Sequence, residues 1–328
     1  MILFAILSFL VICGYVFAGE PTDRKDIQTR TMQFSYAVTV KNIPAGAERV
    51  NVWMPIPRSD ANQQISGLRI NTSHPYSTYV DLEYGNSVLK VAAVVNNSAD
   101  ISVSMNFEVT RADYRVLDNV TEGMTKPSQT AIARYLLPDR LVPIDGQIKE
   151  EAEKVIKDSM SDLEKLRAMY DYVVSSVSYD KSGTGWGRGD AIYACDVRKG
   201  NCTDFHSLLI GMARSMKIPA RFVMGYPVPE GKTDGEIPGY HCWAEFYLED
   251  FGWVPVDASE AHKFPDKRDY FFGGLDANRV LFSIGRDINI DPEADIEPLN
   301  YFIYPYVLVD GMLHDDVERH VRWEDVKR

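Results

Sequence analysis

The chain has 328 residues, enough for two or three compact units at the usual ~100–200 residues each. Hydrophobic residues make up 45% and charged residues 25%, an ordinary globular composition that sets aside global disorder, collagen-like repeats and long coiled coils. The formal net charge of −12, from 47 acidic against 35 basic side chains, repels phosphate backbones and anionic headgroups, so nucleic acid is not an expected partner.

Residues 1–18, MILFAILSFLVICGYVFA, carry no charged side chain and precede a polar stretch from Gly19 to Arg24. They predict a cleaved signal peptide, with Val16 and Ala18 at the small-residue positions, and hence export to a periplasmic or extracellular location. No Lys or Arg stands near the start, so an uncleaved anchor is the alternative, since an apolar stretch of this length at ~1.5 Å per residue nearly spans a bilayer. A membrane contact is expected only in that case. Cys13 follows Ile12, a poor context for lipid attachment, and leaves with the signal. Cys195, Cys202 and Cys242 then remain. An odd number in an exported chain means at least one free thiol or an intermolecular bond. The simplest pairing is a Cys195–Cys242 disulfide with Cys202 free; the alternative is that Cys195 and Cys242 are small buried hydrophobes.

Residues 30–120 predict an N-terminal β-sandwich domain. FSYAVTV, RVNVWMPI, TYVDLEY, VLKVAAVV and ISVSMNFEVT alternate with period two, and Pro44-Ala45-Gly46, Gly85-Asn86 and Asn96 to Asp100 supply turns. No catalytic cluster falls here, which predicts a scaffold or substrate-presenting module. A turn-rich stretch from Val120 to Val142 marks the boundary. A catalytic domain is expected over 143–265, opening with helices. Ser161-Asp162-Leu163-Glu164 is a capping-box pattern, and Leu163, Leu166, Met169, Tyr170, Val173, Val174 and Val177 recur at helical spacing up to an end near Tyr179-Asp180. Lys181 to Asp190 holds four glycines and predicts a mobile loop carrying Trp186.

Beyond Cys202, the residues Phe205, Leu208, Leu209, Met212, Ala213 and Met216 predict a helix buried on one face and stopped by Pro219. Ala220–Tyr226, Cys242–Tyr247 and Trp253–Val256 follow as strands, giving an antiparallel sheet behind a helix. The loop from Pro227 to Gly239 and the turn Glu249 to Gly252 join them. Residues 266–328, with VLFSI, FIYPYVLV and the turn Asp310-Gly311, are expected to complete that sheet as a C-terminal β extension.

A thiol is a nucleophile only as thiolate, and a helix N-terminus lowers its pKa through unpaired N–H groups and a partial positive charge. Gly200 permits close backbone approach and Asn201 is a competent cap, so Gly-Asn-Cys presents Cys202 at a helix tip. A thiolate also needs an imidazole, and the imidazole an orienting carboxylate. His241 opens one strand and Asp257 closes the next, and a tight turn between neighbouring antiparallel strands brings those ends together. Period two puts His241 and Trp243 on one face and Cys242 on the other, which predicts that Cys242 is a poor second nucleophile.

At this point Gly200-Asn201-Cys202-Thr203-Asp204-Phe205, Ile218-Pro219-Ala220-Arg221, His241-Cys242-Trp243-Ala244-Glu245-Phe246 and Gly252-Trp253-Val254-Pro255-Val256-Asp257 resemble the transglutaminase-like superfamily, papain-like in its core. The ordered set His-x-Trp-x-Glu and Gly-Trp-x-x-x-Asp after a helix-capping Cys is specific, and the resemblance covers roughly residues 145 to 265. It implies an α+β fold with the Cys-bearing helix packed on an antiparallel sheet, preceded by the sandwich. It further implies Cys202 as nucleophile, His241 as general base and acid, and Asp257 as its orienter. The Cys202 N–H is the first expected oxyanion donor, with Trp186 and Tyr179 as rival candidates for the second.

No cofactor or metal is expected. His206, Cys195, His241 and Cys242 lack CxxC or HExxH spacing, and a coordinated thiolate would be withdrawn from acyl chemistry. His206 is expected to be packed or partnered inside the domain. Asp287, Asn289 and Asp291 imitate a calcium loop, but Pro292 and Pro298 replace its Gly and Glu. The expected activity is thiol-mediated acyl transfer at amide bonds of a protein or peptide substrate, cell-envelope substrates among them. Hydrolysis by a peptidase or amidase stands first, because excluding water takes a specially closed site. Protein-glutamine crosslinking and a catalytically silent binding or scaffold protein are the alternatives.

Overall fold

The computed structural model describes residues 28–95, 99–118 and 128–327. The signal segment 1–18, Cys13, the Asn96-Asn97-Ser98 turn and residues 119–127 of the linker lie outside the described residues. Among the described residues no helix is long and apolar enough to cross a membrane.

Alternation of apolar and polar residues builds the N-terminal half. In the strand Thr29–Val40 the side chains of Met32, Phe34, Tyr36, Val38 and Val40 are buried, and Ile101–Ala112 pairs with it in antiparallel register, burying Ile101, Val103, Met105, Phe107 and Val109. A period of two places each set on one face of the sheet. A second sheet, centred on Arg49–Ile56 and Ser87–Val94, sends Val50, Val52, Met54, Leu89 and Val91 into the same core. Gln63–Asn71 is a strand the apolar pattern does not predict; it lies at a sheet edge with most of its side chains exposed, so it needs no buried stripe.

The second half is a helix wedged between a sheet and further helices. Gly252–Val256, His241–Leu248, Ala220–Pro227 and Arg279–Ile284 form a four-stranded antiparallel sheet in that order. The helix Cys202–Ser215 packs on its two central strands and is covered on its outer side by helices Gly146–Glu153, Asp162–Ser176 and Ala191–Val197. Every residue from Cys202 to Arg214 is buried. The expected one-faced burial is therefore corrected, because the outer helices close over the polar side as well. The Ser161 capping box forms as its pattern predicts, with Glu164 reaching back to the Ser161 N–H at 2.8 Å. The helix it starts ends at Ser176, and a two-residue strand Ser178–Tyr179 replaces its expected last turn.

The expectation that residues 266–328 complete the catalytic sheet holds for one strand only. Arg279–Ile284 joins that sheet, whereas Tyr306–Val309 pairs with Arg49–Ile56, and Val317–Asp325 pairs with Thr29–Val40. Both sandwich sheets thus take strands from the far end of the chain. An alternating pattern names the buried face of a strand but not its partner, and the free edges of Thr29–Val40 and Arg49–Ile56 were the ones to be filled. Asp310 and Gly311, with φ of 49° and 82°, make the two-residue turn between Tyr306–Val309 and Met312–Leu313; both positions need the left-handed region of a primed hairpin turn. From the Pro227–Gly239 loop, Asp234–Glu236 adds a short edge strand beside Val317–Asp325.

An aromatic cluster locks the two halves together. Phe34 and Phe107 stack with centroids 5.2 Å apart, and Phe282 and Tyr226 of the catalytic sheet meet edge-on at 5.2 Å. Phe34 lies 6.0 Å from Phe282, and Tyr36 lies 5.7 Å from Tyr226. Each fully buried ring contributes about 2 kcal/mol of transfer free energy, so this seam ties the sandwich rigidly to the sheet that carries the site.

Candidate active site

The site is assembled at one tip of the buried helix. Asn201 caps it, its Oδ1 accepting the Thr203 N–H at 2.9 Å, and Asp204 returns a carboxylate oxygen to the Asn201 N–H at 2.9 Å. The remaining capacity of Asp204 is taken by the N–H groups of Gly187 at 2.7 Å and Gly189 at 3.0 Å. One carboxylate therefore ties the glycine-rich loop to the helix start, and the loop is anchored where the sequence predicts mobility. Gly200 lies flat against this carboxylate, so any side chain there would collide with Asp204.

Cys202 is the first helical residue and is 2% exposed. Its thiol stands close enough to His241 and Cys242 for both to act on its titration. His241 Nε2 lies 2.7 Å from Asp257 Oδ2, which leaves Nδ1 as the nitrogen facing Cys202. Asp257 accepts from three more donors: Arg279 Nη1 at 2.9 Å on Oδ2, and Ser259 Oγ and the Glu260 N–H, each at 3.0 Å, on Oδ1. Four donors keep it ionised. Its burial opposes the charge, but His241 and Arg279 outweigh that and hold the carboxyl well below its usual range.

The same field sets the other two groups. Burial disfavours a charged imidazole, yet the Asp257 charge and hydrogen bond, helped by Cys202, push His241 up to about 10. Burial likewise pushes the Cys202 thiol up, but hydrogen bonds from Cys242 and His241 and the His241 charge bring it well below its ordinary value. Both directions favour a thiolate facing an imidazolium, a pair suited to attack an electrophile and then hand a proton to the departing group.

The structure thus brings Cys202, His241 and Asp257 into one array and treats the remaining candidates differently. Tyr179 lies close enough to Cys202 that, after burial, the thiolate charge helps to push its hydroxyl up to about 12; Lys263 stands 3.9 Å above its ring. The Trp186 indole N–H turns away and donates to the Gly183 carbonyl at 3.2 Å. The first-turn N–H of Cys202 has no partner within the helix and remains suited to an oxyanion.

The expected Cys195–Cys242 disulfide is not formed: Cys195, Cys202 and Cys242 are all free and buried. Cys195 accepts from Gln147 Nε2 at 3.2 Å on the outer helices, while Cys242 faces His206 and Cys202 under the helix. Strand alternation does separate Cys242 from Trp243. However, at the first residues of the strand both His241 and Cys242 reach the helix tip, so Cys242 is a neighbour of the nucleophile. His206 Nδ1 donates to the Cys202 carbonyl at 2.7 Å and its Nε2 accepts the Ala258 N–H at 3.0 Å. This fixes a neutral tautomer, in line with the downward push of burial, and the 3.7 Å approach to Asp257 is not an ion pair. Asp287 is paired with Arg140, and Asp291 accepts from Trp53 and Lys90.

Two site residues escape a reading of the motifs. Arg279 bridges Asp257 and Asp276 and stacks 5.2 Å from the Trp243 ring centre, holding the carboxylate in place. Its signal is a lone charge at the head of the apolar run VLFSI. Tyr240 accepts from Asn201 Nδ2 at 3.1 Å and lies near the Gly187 carbonyl, joining cap and loop. Only its place beside His241 hints at this.

Residues 149–258 match the family model of the transglutaminase-like superfamily. They form a transglutaminase-like core domain. The match contains Cys202, His241 and Asp257 and stops short of Arg279. Over a longer span, the chain is 29% identical over 310 residues to an uncharacterized protein of Haemophilus influenzae, covering 82% of this chain and 83% of that protein. It is 27% identical over 189 residues to the uncharacterized protein YebA of Bacillus subtilis, covering 53% of this chain and 25% of YebA. A crystal structure of a candidate cysteine protease from Cytophaga hutchinsonii superposes with a TM-score of 0.61 at 16% identity over 92% of each chain. The likeness in fold therefore reaches beyond the transglutaminase-like core into the sandwich.

Proposed function

We propose that this chain is an exported cysteine enzyme that transfers the acyl group of protein or peptide amides, cell-envelope substrates among them, with hydrolysis as its main outcome. The Cys202 thiolate attacks the amide carbonyl, the Cys202 N–H and Tyr179 receive the oxyanion, and the His241 imidazolium protonates the departing amine. A water molecule, deprotonated by His241, then resolves the thioester. Support comes chiefly from one observation, the four-donor Asp257 carboxylate that fixes the His241 ring near Cys202 at the helix tip. The likeness of fold to a candidate cysteine protease agrees with this reading, and the apolar segment 1–18 supports export.

The test is labelling of the full chain by a thiol-directed amide probe near neutral pH, with Cys202→Ala and His241→Ala as controls. Labelling confined to Cys202 and lost in both variants is the expected result; an unlabelled wild type would mean a silent scaffold. Incubation with a glutamine-containing peptide and a primary amine, followed by mass analysis, separates the two acyl acceptors. A hydrolysed product is expected, and an amine adduct would make the protein a crosslinking enzyme.

A further inference from the structure

The chain carries a net charge of −12, yet lysines gather at the helix tip that bears Cys202. The strand Ser178–Tyr179 pairs in parallel with Lys199–Gly200, and the Asp180 N–H donates to the Gly200 carbonyl at 3.0 Å, two residues before Cys202. The Tyr179 ring lies beside Phe205, about one turn into the helix, with ring centres 6.2 Å apart. Tyr179 therefore flanks the tip, and two ammonium groups stand over its ring. Lys263 Nζ is 3.9 Å and Lys181 Nζ 5.6 Å from the ring centre, and Lys181 Nζ is also 5.8 Å from the Trp186 ring. Attraction of a cation to an aromatic face keeps both side chains beside the site. The backbone under Lys181 is fixed as well, because Asp180 accepts the Ser182 N–H at 2.7 Å and the Ser182 hydroxyl at 2.9 Å.

The positive charge here is only partly matched. Lys199 lies 3.6 Å from Asp180, and Lys263 lies 2.8 Å from Glu260. Lys181 is exposed, and among the described residues no carboxylate pairs with it.

We infer that Lys181 and Lys263 form an anion-selecting rim, which favours substrates carrying a carboxylate close to the scissile amide. The inference narrows the substrate class of the function proposed above and rests on Cys202 being its nucleophile. A carboxylate entering over the Tyr179 ring can accept from the Lys181 ammonium at about 2.8 Å and share Lys263 with Glu260. The acidic remainder of the surface repels such a peptide elsewhere, so the rim also steers it to this face.

The experiment alkylates Cys202 of the reduced full chain with iodoacetate and with iodoacetamide, near neutral pH and at low salt, and reads both rates by peptide mass mapping. The two reagents have nearly the same size and differ in charge. A change in Cys202 reactivity moves both rates alike, so their ratio isolates the field of the rim. The ratio of iodoacetate to iodoacetamide rates should fall about threefold in each of Lys181→Met and Lys263→Met, and further in the double variant. An equal ratio in wild type and all three variants, with iodoacetamide still reacting rapidly at Cys202, overturns the rim alone. If iodoacetamide reacts at Cys202 no faster than at Cys195, the nucleophile assignment fails and the inference falls with it. Peptide pairs then locate the charge: glutamate against glutamine beside the scissile amide, and a free against an amidated C-terminus. Faster cleavage of an acidic member supports the rim and names the source of the carboxylate, whereas equal rates within both pairs overturn it.

Discussion

Replacing Asp257 by Asn keeps the side chain's shape and removes its charge. The carboxylate offers four acceptor positions to His241, Arg279, Ser259 and the Glu260 N–H, whereas an amide has one acceptor oxygen and presents donors where donors already stand. The rise of His241 from its ordinary 6.5 to about 10 corresponds to about 5 kcal/mol of preference for the imidazolium, with Asp257 its largest favourable contributor and Cys202 supplying the rest. Losing most of that returns the pair to neutral thiol and neutral imidazole, and kcat/KM for amide cleavage should fall by on the order of 10³-fold. The decisive assay is the rate of Cys202 alkylation by iodoacetamide from about pH 5 to about pH 9. The wild type should react at a nearly constant rate through neutrality; Asp257→Asn should show a rate that climbs towards the ordinary thiol pKa of about 8.5. Thermal unfolding is measured beside it, because Arg279 keeps only Asp276 and the fold should lose about 3 kcal/mol. A variant profile that overlays the wild type, in a protein that still folds, would refute the electrostatic account of the site.

Gly200→Ala should break the cap by forcing Asp204 away, lowering stability by about 2 kcal/mol in thermal unfolding and slowing Cys202 alkylation. Asp204→Asn should cost a similar amount, about 2 kcal/mol, and release the loop that its carboxylate holds at Gly187 and Gly189, read as faster limited proteolysis between residues 181 and 189. If Tyr179 donates to the oxyanion, Tyr179→Phe should lower kcat roughly 10²-fold with little change in KM, while Trp186→Phe, whose N–H is already given to Gly183, should leave kcat near its wild-type value. Away from the site, Glu151 opposes its burial through Lys154, Tyr172 and Arg198, which together hold it at about 2, below its ordinary 4.5. Its stabilisation is complete above pH 4.5 and is lost as pH falls from there towards 2, so wild type and Glu151→Gln should differ in unfolding midpoint at neutral pH and converge in that acid window.

The order of helix-capping Cys, His-x-Trp and Gly-Trp-x-x-x-Asp could be read from the chain because each motif couples a side chain to the local geometry that presents it. Cys202 needs a capped helix, and His241 and Asp257 need adjacent strand ends. The sandwich strands were legible for the same reason: burying one face writes a period of two. What escaped were the partners chosen at long range. Counting cysteines gives the parity of thiols and not their positions, so it joined Cys195 to Cys242 when Cys242 lies against His206 under the helix tip and Cys195 beside Gln147. Arg279 follows the last motif and meets Asp257 only once Arg279–Ile284 has found its edge of the sheet. The last strands read as apolar ribbons with no mark of the sheet they would join.

Because Tyr306–Val309 and Val317–Asp325 close sheets begun by Arg49–Ile56 and Thr29–Val40, the catalytic segment is an insert whose two ends are buckled into one clasp. Shortening the chain by its final strand would strip a central ribbon from a sheet that starts at Thr29, far away in sequence and packed through Phe34 and Tyr36 onto the enzyme's own strands. Residues 149–258 expressed alone would lack both the Arg279 brace and the surface against which their sheet is moulded. The boundaries of the motif-bearing region are therefore not the boundaries of a part that can stand by itself.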